Sequence, residues 1–435
     1  MELNEPSAKY LVQGGLQQTE IGPIPLDWQV EPLAKVAEIR SGIAKNVNAV
    51  IADAIEVPYL RVANVQDGYL DLQEISTIRI NREYLRRYSV LPFDVLMNEG
   101  GDIDKLGRGA LWRGQIQPCV HQNHVFVVRC KPALAPQFLS AWSASPPARR
   151  YFLFAGKQTT NLASINKTSL GQLPVAMPRL REEQERIAQA LADADALIAS
   201  LEQLLSKKRQ IKQGAMQELL TGQRRLPGFI DDWVPGVLGD ALGELVAGVS
   251  VNSEANGTTE GAPSVLKTSA ICDGQFDPTE CKAIAKADVG RAQTTPRKDS
   301  LLVSRMNTPD LVGEVGYVDA DYPLLFLPDR VWMAQAKHGS HVNMRWLVSL
   351  LSSAPYKQRI RDTATGTSGS MKNISKAALR SLPVHFPCGE EQTAIASVLS
   401  DMDAEITALE ARLTKARQLK QGMAQALLTG RIRLV

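Results

Sequence analysis

From Ile187 the apolar residues recur at alternating intervals of four and three: Ile187, Leu191, Ala194, Ile198, Leu201, Leu205. The same spacing returns at Ile395, Leu399, Met402, Ile406, Leu409 and Leu413. Such a narrow stripe predicts a long helix with a coiled-coil seam in each place. Each helix is predicted to open after Pro178 or Pro387 with Glu182-Glu183 or Glu390-Glu391, carboxylates that suit the positive end of a helix dipole, and to stop at LLTG, where glycine fits a C-cap. Forty or so residues at 1.5 Å each give roughly 60 Å of helix.

Elsewhere the pattern changes to short apolar runs broken by turn residues. Residues 24–178 carry PYLRVANV, DGYLDLQEI, VLPFDVLM, GALW and HVFVVR, with helical stretches at FLSAWSA and ARRYFLF. Residues 226–387 carry SVLKTSAI, LLVSRM, GEVGYV and VWMAQA, then a helix at MRWLVSLLSS. Strands with Gly and Asp turns beside a few helices predict an α+β class for both. The segmentation is then 1–23 as an N-terminal segment, 24–178 as a first variable domain, 179–225 as a central helix, 226–387 as a second variable domain and 388–435 as a C-terminal helix.

The two helical segments are near-copies. Residues 182–226 laid over 390–434 give 26 identities in 45 positions without a gap, and KQGAMQELLTG returns as KQGMAQALLTG. Upstream, INKTSLGQLPVAMP faces ISKAALRSLPVHFP, and Asp27-Trp28 and Asp67-Gly68 have echoes in Asp232-Trp233 and Asp273-Gly274. The chain therefore reads as an internal tandem repeat, as its 435 residues, long for one core, also suggest.

Charge adds a direction. Acids crowd the first half of each helix (Glu182, Glu183, Glu185, Asp193, Asp195, Glu202; Glu390, Glu391, Asp401, Asp403, Glu405, Glu410) and bases the second (Lys207, Lys208, Arg209, Lys212, Arg224, Arg225; Arg412, Lys415, Arg417, Lys420, Arg431, Arg433). Only an antiparallel pairing sets acid against base along the length, so an antiparallel coiled coil with pseudo-two-fold symmetry is expected, with one variable domain at each end. Lys212-Gln213-Gly214 and Lys420-Gln421-Gly422 interrupt both seams at the same place. A helix glycine costs about 1 kcal/mol against alanine, so its repetition points to close approach by another helix, and to these residues as a docking place for a partner protein.

Net charge is only +3, from 49 basic and 46 acidic residues, so a nucleic-acid surface must come from local clustering. Candidates are the glycine-rich stretch 98–108, with Lys105 and Arg108; Gly156 to Asn161, with Lys157, Gln158, Thr159 and Asn161; the 304–307 stretch, with Arg305 and Asn307; and Gly366 to Asn373, with Thr367, Ser368, Ser370 and Lys372. Hydroxyls and lysine suit phosphates, while Arg, Asn, Gln and Lys suit base edges. No dinucleotide fingerprint, phosphate-binding loop, N-P-P-Y-like tetrad, G-x-S-x-G or H-E-x-x-H is present. Neither His121/His124 and His338/His341 nor the acid-x-Lys strings at Asp102 to Lys105 and Glu280 to Lys282 fall at matching points of the repeat, since His124 meets Arg330, so no metal or nuclease site is expected. Five cysteines without C-x-x-C, and no leader or apolar span, predict a reduced, cytoplasmic protein that does not enter a membrane.

The order Asp27-Trp28, YLRVANVQDGYLDL, VLPFDVLMNEGG, LPVAMPRLREEQERIAQAL and KQGAMQELLTG, with a second round ending LPVHFPCGEEQTAIASVL and KQGMAQALLTG, resembles the specificity (S) subunits of type I restriction-modification systems. The resemblance covers essentially the whole chain. It implies two target recognition domains separated by two long antiparallel helices, reading a bipartite, asymmetric sequence in double-stranded DNA. It implies no catalysis and no cofactor on this chain. Two methyltransferase subunits would bring S-adenosylmethionine, and restriction subunits joined through them would bring ATP and magnesium. The alternatives are the specificity subunit of a stand-alone or type IIB-like methyltransferase, and a coiled-coil scaffold that never touches DNA.

Overall fold

The structure is a computed structural model that describes residues 15–44, 53–101, 106–107, 109–158, 163–254, 261–366 and 370–434. It contains two 39-residue helices, Arg181–Leu219 and Gly389–Leu427. The chain divides into two compact units, one of residues 1–202 with 411–435, the other of residues 203–410. Each unit thus takes its long-helix segments from both repeats.

In the first unit, after a hairpin of Leu16–Thr19 and Gly22–Pro25, come β1 (Trp28–Pro32), β2 (Ala37–Arg40), β3 (Ile55–Leu60), β4 (Ser76–Ile80), β5 (Val95–Asn98), β6 (Gly100–Gly101), β7 (Gly109–Leu111), β8 (Val120–His121) and β9 (Val125–Cys130). Helices α1 (Pro136–Ser143) and α2 (Pro146–Ala155) follow, then β10 (Lys157–Gln158), β11 (Ala163–Ser164) and β12 (Pro174–Pro178). An antiparallel sheet runs β2-β9-β5-β7; a second runs β8-β3-β4, with β8 parallel to β3; β10-β11-β6 and β12-β1 pair beside them. The continuous run VLM of β5 has no polar face because both sides of its sheet are covered: Val95 and Met97 join Trp28, Phe138 and Trp142 in one cluster, and Leu96 joins Leu60, Val65 and Trp112 in another.

The second unit repeats this plan. Its strands are β13 (Val234–Val237), β14 (Val246–Ala247), β15 (Ser264–Leu266), β16 (Cys281–Ala283), β17 (Ser300–Ser304), β18 (Met306–Asn307), β19 (Val315–Val318), β20 (Leu325–Phe326) and β21 (Val331–Gln335). Helices α3 (Met344–Leu351) and α4 (Ala354–Asp362) precede β22 (Lys372–Asn373) and β23 (Pro383–Phe386). The sheets run β14-β21-β17-β19, β16-β15-β20 with β20 parallel to β15, β18-β22 and β13-β23, and a short hairpin pairs Ile271–Cys272 with Gln275–Phe276. The same split recurs in β17, where Leu301 and Val303 pack under α3 and Leu302 packs on the other side.

All twelve predicted seam positions are buried or half-buried. Within the first unit Asp195 pairs with Lys420, and Glu202 with Arg417 at 2.6 Å. Within the second, Asp403 pairs with Lys212, and Glu410 with Arg209 at 2.5 Å. In both, rising numbers on one segment meet falling numbers on the other, and the pairs correspond one to one under the repeat.

Candidate nucleic-acid and partner interfaces

The EEQ that opens each long helix does more than cap it. Glu182 is exposed, but Glu183 is 3% exposed and takes both ends of the Arg433 guanidinium, at 2.5 and 2.7 Å. Arg433 also donates to Asp27 at 2.7 and 2.8 Å. Its pKa is raised, first by the hydrogen bond to Glu183, and the bond from Arg433 holds Asp27 below the usual carboxylate range. The second unit repeats the joint with Glu391, Arg225 at 2.5 and 2.7 Å, and the Trp233 indole at 3.1 Å. The glutamine fastens the helix to the domain: Gln184 accepts from Ala135 N and donates to Ala133 O and Pro178 O, while Gln392 accepts from Asn343 N and donates to Pro387 O.

A second repeated joint sits at the Asp–Gly loops. Asp67 pairs with Arg149 on α2, and Asp273 with Lys357 on α4. In the second unit, buried Glu314 accepts from Lys357 at 2.9 Å, from Arg361 at 3.1 Å and from the Asp273 backbone at 2.9 Å. Burial works against the Lys357 charge, but its bonds to Asp273 and Glu314 prevail and raise its pKa; the same bond lowers that of Asp273. Cys272, Asp273 and Glu314 lie close enough together to hold a cation, yet the Lys357 ammonium already bonds both carboxylates, so the donor set is suited to lysine. Sequence reading passed over Arg149 and Lys357. The signal was the S-x-P-x-[RK] that starts both helices, Ser145 to Arg149 and Ser353 to Lys357.

Of the expected DNA contacts, Lys105, Arg108, Thr159, Asn161, Thr367 and Ser368 lie outside the described residues. Lys157 and Gln158 form β10, which pairs with β11, and β11 with β6, so the two glycine-rich stretches of the first unit meet on one small sheet. In the second unit Asn307 and Lys372 face each other across β18 and β22. The Asn307 amide bonds Ser304 Oγ, Lys372 Nζ bonds Gly366 O at 3.0 Å, and Ser370 adjoins this strand in a turn. Arg305 Nε donates to Asp329 O at 2.7 Å and its guanidinium lies 5.8 Å from the Trp332 ring, so it is folded back on its own domain.

Of the expected docking residues, Lys212 and Lys420 are spent on Asp403 and Asp195. Gln213 and Gln421 are exposed. The expected close approach of another helix to Gly214 and Gly422 is not found among the described residues: a Cβ at either would meet nothing within 4 Å. Beside them stand Ile211, 46% exposed, and Leu419, 58% exposed, at equivalent positions. In the first unit Lys420 and Gln421 also border a cleft of about 810 Å³ lined by Arg113, Gln137, Arg149 and Glu185. No described helix is long and apolar enough to cross a membrane.

The comparisons with known proteins agree with this plan. The family model described as type I restriction modification DNA specificity domain matches residues 25–213 and 281–419. A chain of Methanocaldococcus jannaschii, assigned as the specificity subunit of the type I restriction enzyme MjaX, is 25% identical over 98% of both chains. The EcoKI specificity subunit of Escherichia coli is 22% identical over 43% of this chain and 41% of its own. The crystal structure of a type I restriction-modification S subunit from M. genitalium has the same fold, with a TM-score of 0.57 and 12% identity over 92% of this chain and 96% of that one. With its model matched once in each half, on a scaffold built twice, the chain belongs to the type I restriction modification DNA specificity family.

Proposed function

We propose that this protein is the non-catalytic DNA-reading subunit of a type I restriction-modification complex. Its two domains would read the two unlike parts of a bipartite, asymmetric target. The long helices would form an antiparallel coiled coil that spaces the domains and offers two like docking faces to two methyltransferase subunits. Those would supply S-adenosylmethionine, and restriction subunits recruited through them ATP and magnesium. The observation that carries this reading is the split in what the repeat keeps. The helix joints at Arg433–Glu183 and Arg225–Glu391, and the notches at Ile211–Gly214 and Leu419–Gly422, recur in kind. The side chains on the β10-β11-β6 and β18-β22 edges do not. Like faces suit two copies of one partner; unlike edges suit two half-sites.

At 1.5 Å per residue each 39-residue helix is about 58 Å long, enough to reach past one turn of duplex, about 34 Å. A glycine beside an exposed aliphatic side chain is a notch into which a partner helix can press its backbone. The test is to assemble the chain with its modification subunits, weigh the complex, and map methylated adenines on a random-sequence library. Two modification subunits per chain and a split, asymmetric site are expected. A single uninterrupted site, or DNA affinity that does not fall with salt, would overturn the reading.

A further inference from the structure

Duplication supplies an internal control: where the backbone is the same and the side-chain chemistry is reversed, a difference in what is read has its physical source. One position meets this condition closely. In the first unit Glu99 N donates to His124 O at 2.9 Å, and Ile165 N donates to Glu99 O at 2.8 Å. In the second, Arg305 N donates to Arg330 O at 3.0 Å, and Ile374 N donates to Arg305 O at 2.9 Å. The two crossings are thus superposable in their bonding. Each leads directly into the edge that carries a candidate phosphate-binding lysine: Gly100 is joined through Ser164 of β11 to Lys157, and Asn307 is paired with Lys372. Two strand spacings put Lys157 about 10 Å from Gly100, the scale of a few base pairs.

The side chains at this crossing are opposite in kind. Glu99 and His124 form a pair, Nδ1 to Oε2, at 2.6 Å, with His124 54% and Glu99 27% exposed. In the neutral ring that gives Nδ1–H to Glu99, Nε2 carries a lone pair, met among the described residues by the Asn123 amide at 3.2 Å, and Glu99 keeps its second oxygen. This is a surface of acceptors. At the same place the second unit has exposed Arg330, to which no acid among the described residues is paired, bonded through its carbonyl to Arg305 N. This is a surface of donors.

We propose that this crossing determines specificity in both domains: Glu99 with His124 selects a base whose major-groove edge carries an amine, cytosine or adenine, and Arg330 selects guanine. Carboxylate accepts from the cytosine or adenine amine, and arginine meets guanine O6 and N7, each good pair discriminating by roughly tenfold or more. Arg305 acts as a positioning residue, since it holds the Asp329 carbonyl and so the turn from which Arg330 projects.

The inference rests on the DNA-reading function proposed above, and the assay separates the two. The assembled modification complex is given a random-sequence library, and methylation is sequenced for the wild type and for Glu99→Gln, His124→Arg and Arg330→Ala. Arg330→Ala is expected to lose at least tenfold in preference for guanine at one position of one half-site; His124→Arg is expected to move one position of the other half-site toward guanine, and Glu99→Gln to relax it. In every variant the second half-site and the gap stay fixed, which also reports that the chain is folded. Methylation reduced evenly over all sequences would make these phosphate contacts and overturn the proposal. A wild-type complex without sequence preference would instead sink the DNA-reading function beneath it.

Discussion

His121 is a histidine that folding keeps neutral. Its ring is buried in the first unit, where Nδ1 meets Val125 O at 2.6 Å, and burial lowers its pKa from 6.5 to about 4. The folded state therefore resists a proton that the unfolded chain accepts below pH 6.5. Stability is full above that value and is lost as the pH falls toward 4. A difference of 2.5 pH units corresponds to about 3.4 kcal/mol at the acid limit, and to about 2 kcal/mol at pH 5, where most carboxylates are still charged. The second unit supplies the control residue, because Leu327 occupies the same place: Gly42 and Gly248 lie against the carbonyls of His121 and Leu327 in the same way. Urea unfolding of the wild type and of His121→Leu should be measured between pH 7.5 and 5, following the transition of the first unit. The wild-type midpoint should fall faster, the gap between the two curves changing by about 2 kcal/mol. Parallel curves would show that His121 titrates alike in both states, and the burial argument would fail.

Arg433→Met leaves Glu183 buried without its cation, which should cost about 3–5 kcal/mol in thermal or urea unfolding, and adding Glu183→Gln should restore part of it. Gly107 has φ +67°, and a Cβ there would lie 2.3 Å from the Phe152 ring, so Gly107→Ala should destabilise the first unit by about 1–3 kcal/mol; Gly313 meets Ile360 at the same distance, so Gly313→Ala should act likewise on the second. Ile211→Asp and Leu419→Asp should each remove one methyltransferase subunit from the assembled complex, read by its mass, while leaving the chain folded. Inserting four residues near Leu204, about 6 Å of helix, should lengthen the tolerated gap by a base pair or two with both half-sites unchanged, as methylation mapping would report.

What the sequence made legible was whatever local periodicity encodes. The seam from Ile187 and its copy from Ile395 announce their helices because a 3.6-residue repeat is written into neighbouring positions. Strand order was not legible, since β8, only two residues long, joins β3 through residues about sixty positions apart. Glu183 read as a dipole carboxylate like Glu182, although the first is buried under Arg433 and the second is 88% exposed; nothing within one turn of helix tells them apart. The bonds of Lys212 and Lys420 were hidden for the same reason, their acids lying about two hundred residues away. The bond from Arg305 to the Asp329 carbonyl, across the sheet, is likewise announced by nothing in the residues beside Arg305.

The exchange of helix segments between repeats also sets an order of events during synthesis. Leu427 and Leu428 belong to the core of the first unit, with Trp28 and Ile187, so that core stays open until the second copy of the helix has been made. Leu219 and Leu220, the same letters in the same register, close the second unit's core, with Ile395 and Leu399 of the other copy. Neither core is therefore complete from one copy of the repeat, and the two units are expected to close together, once both helices exist, instead of one after the other.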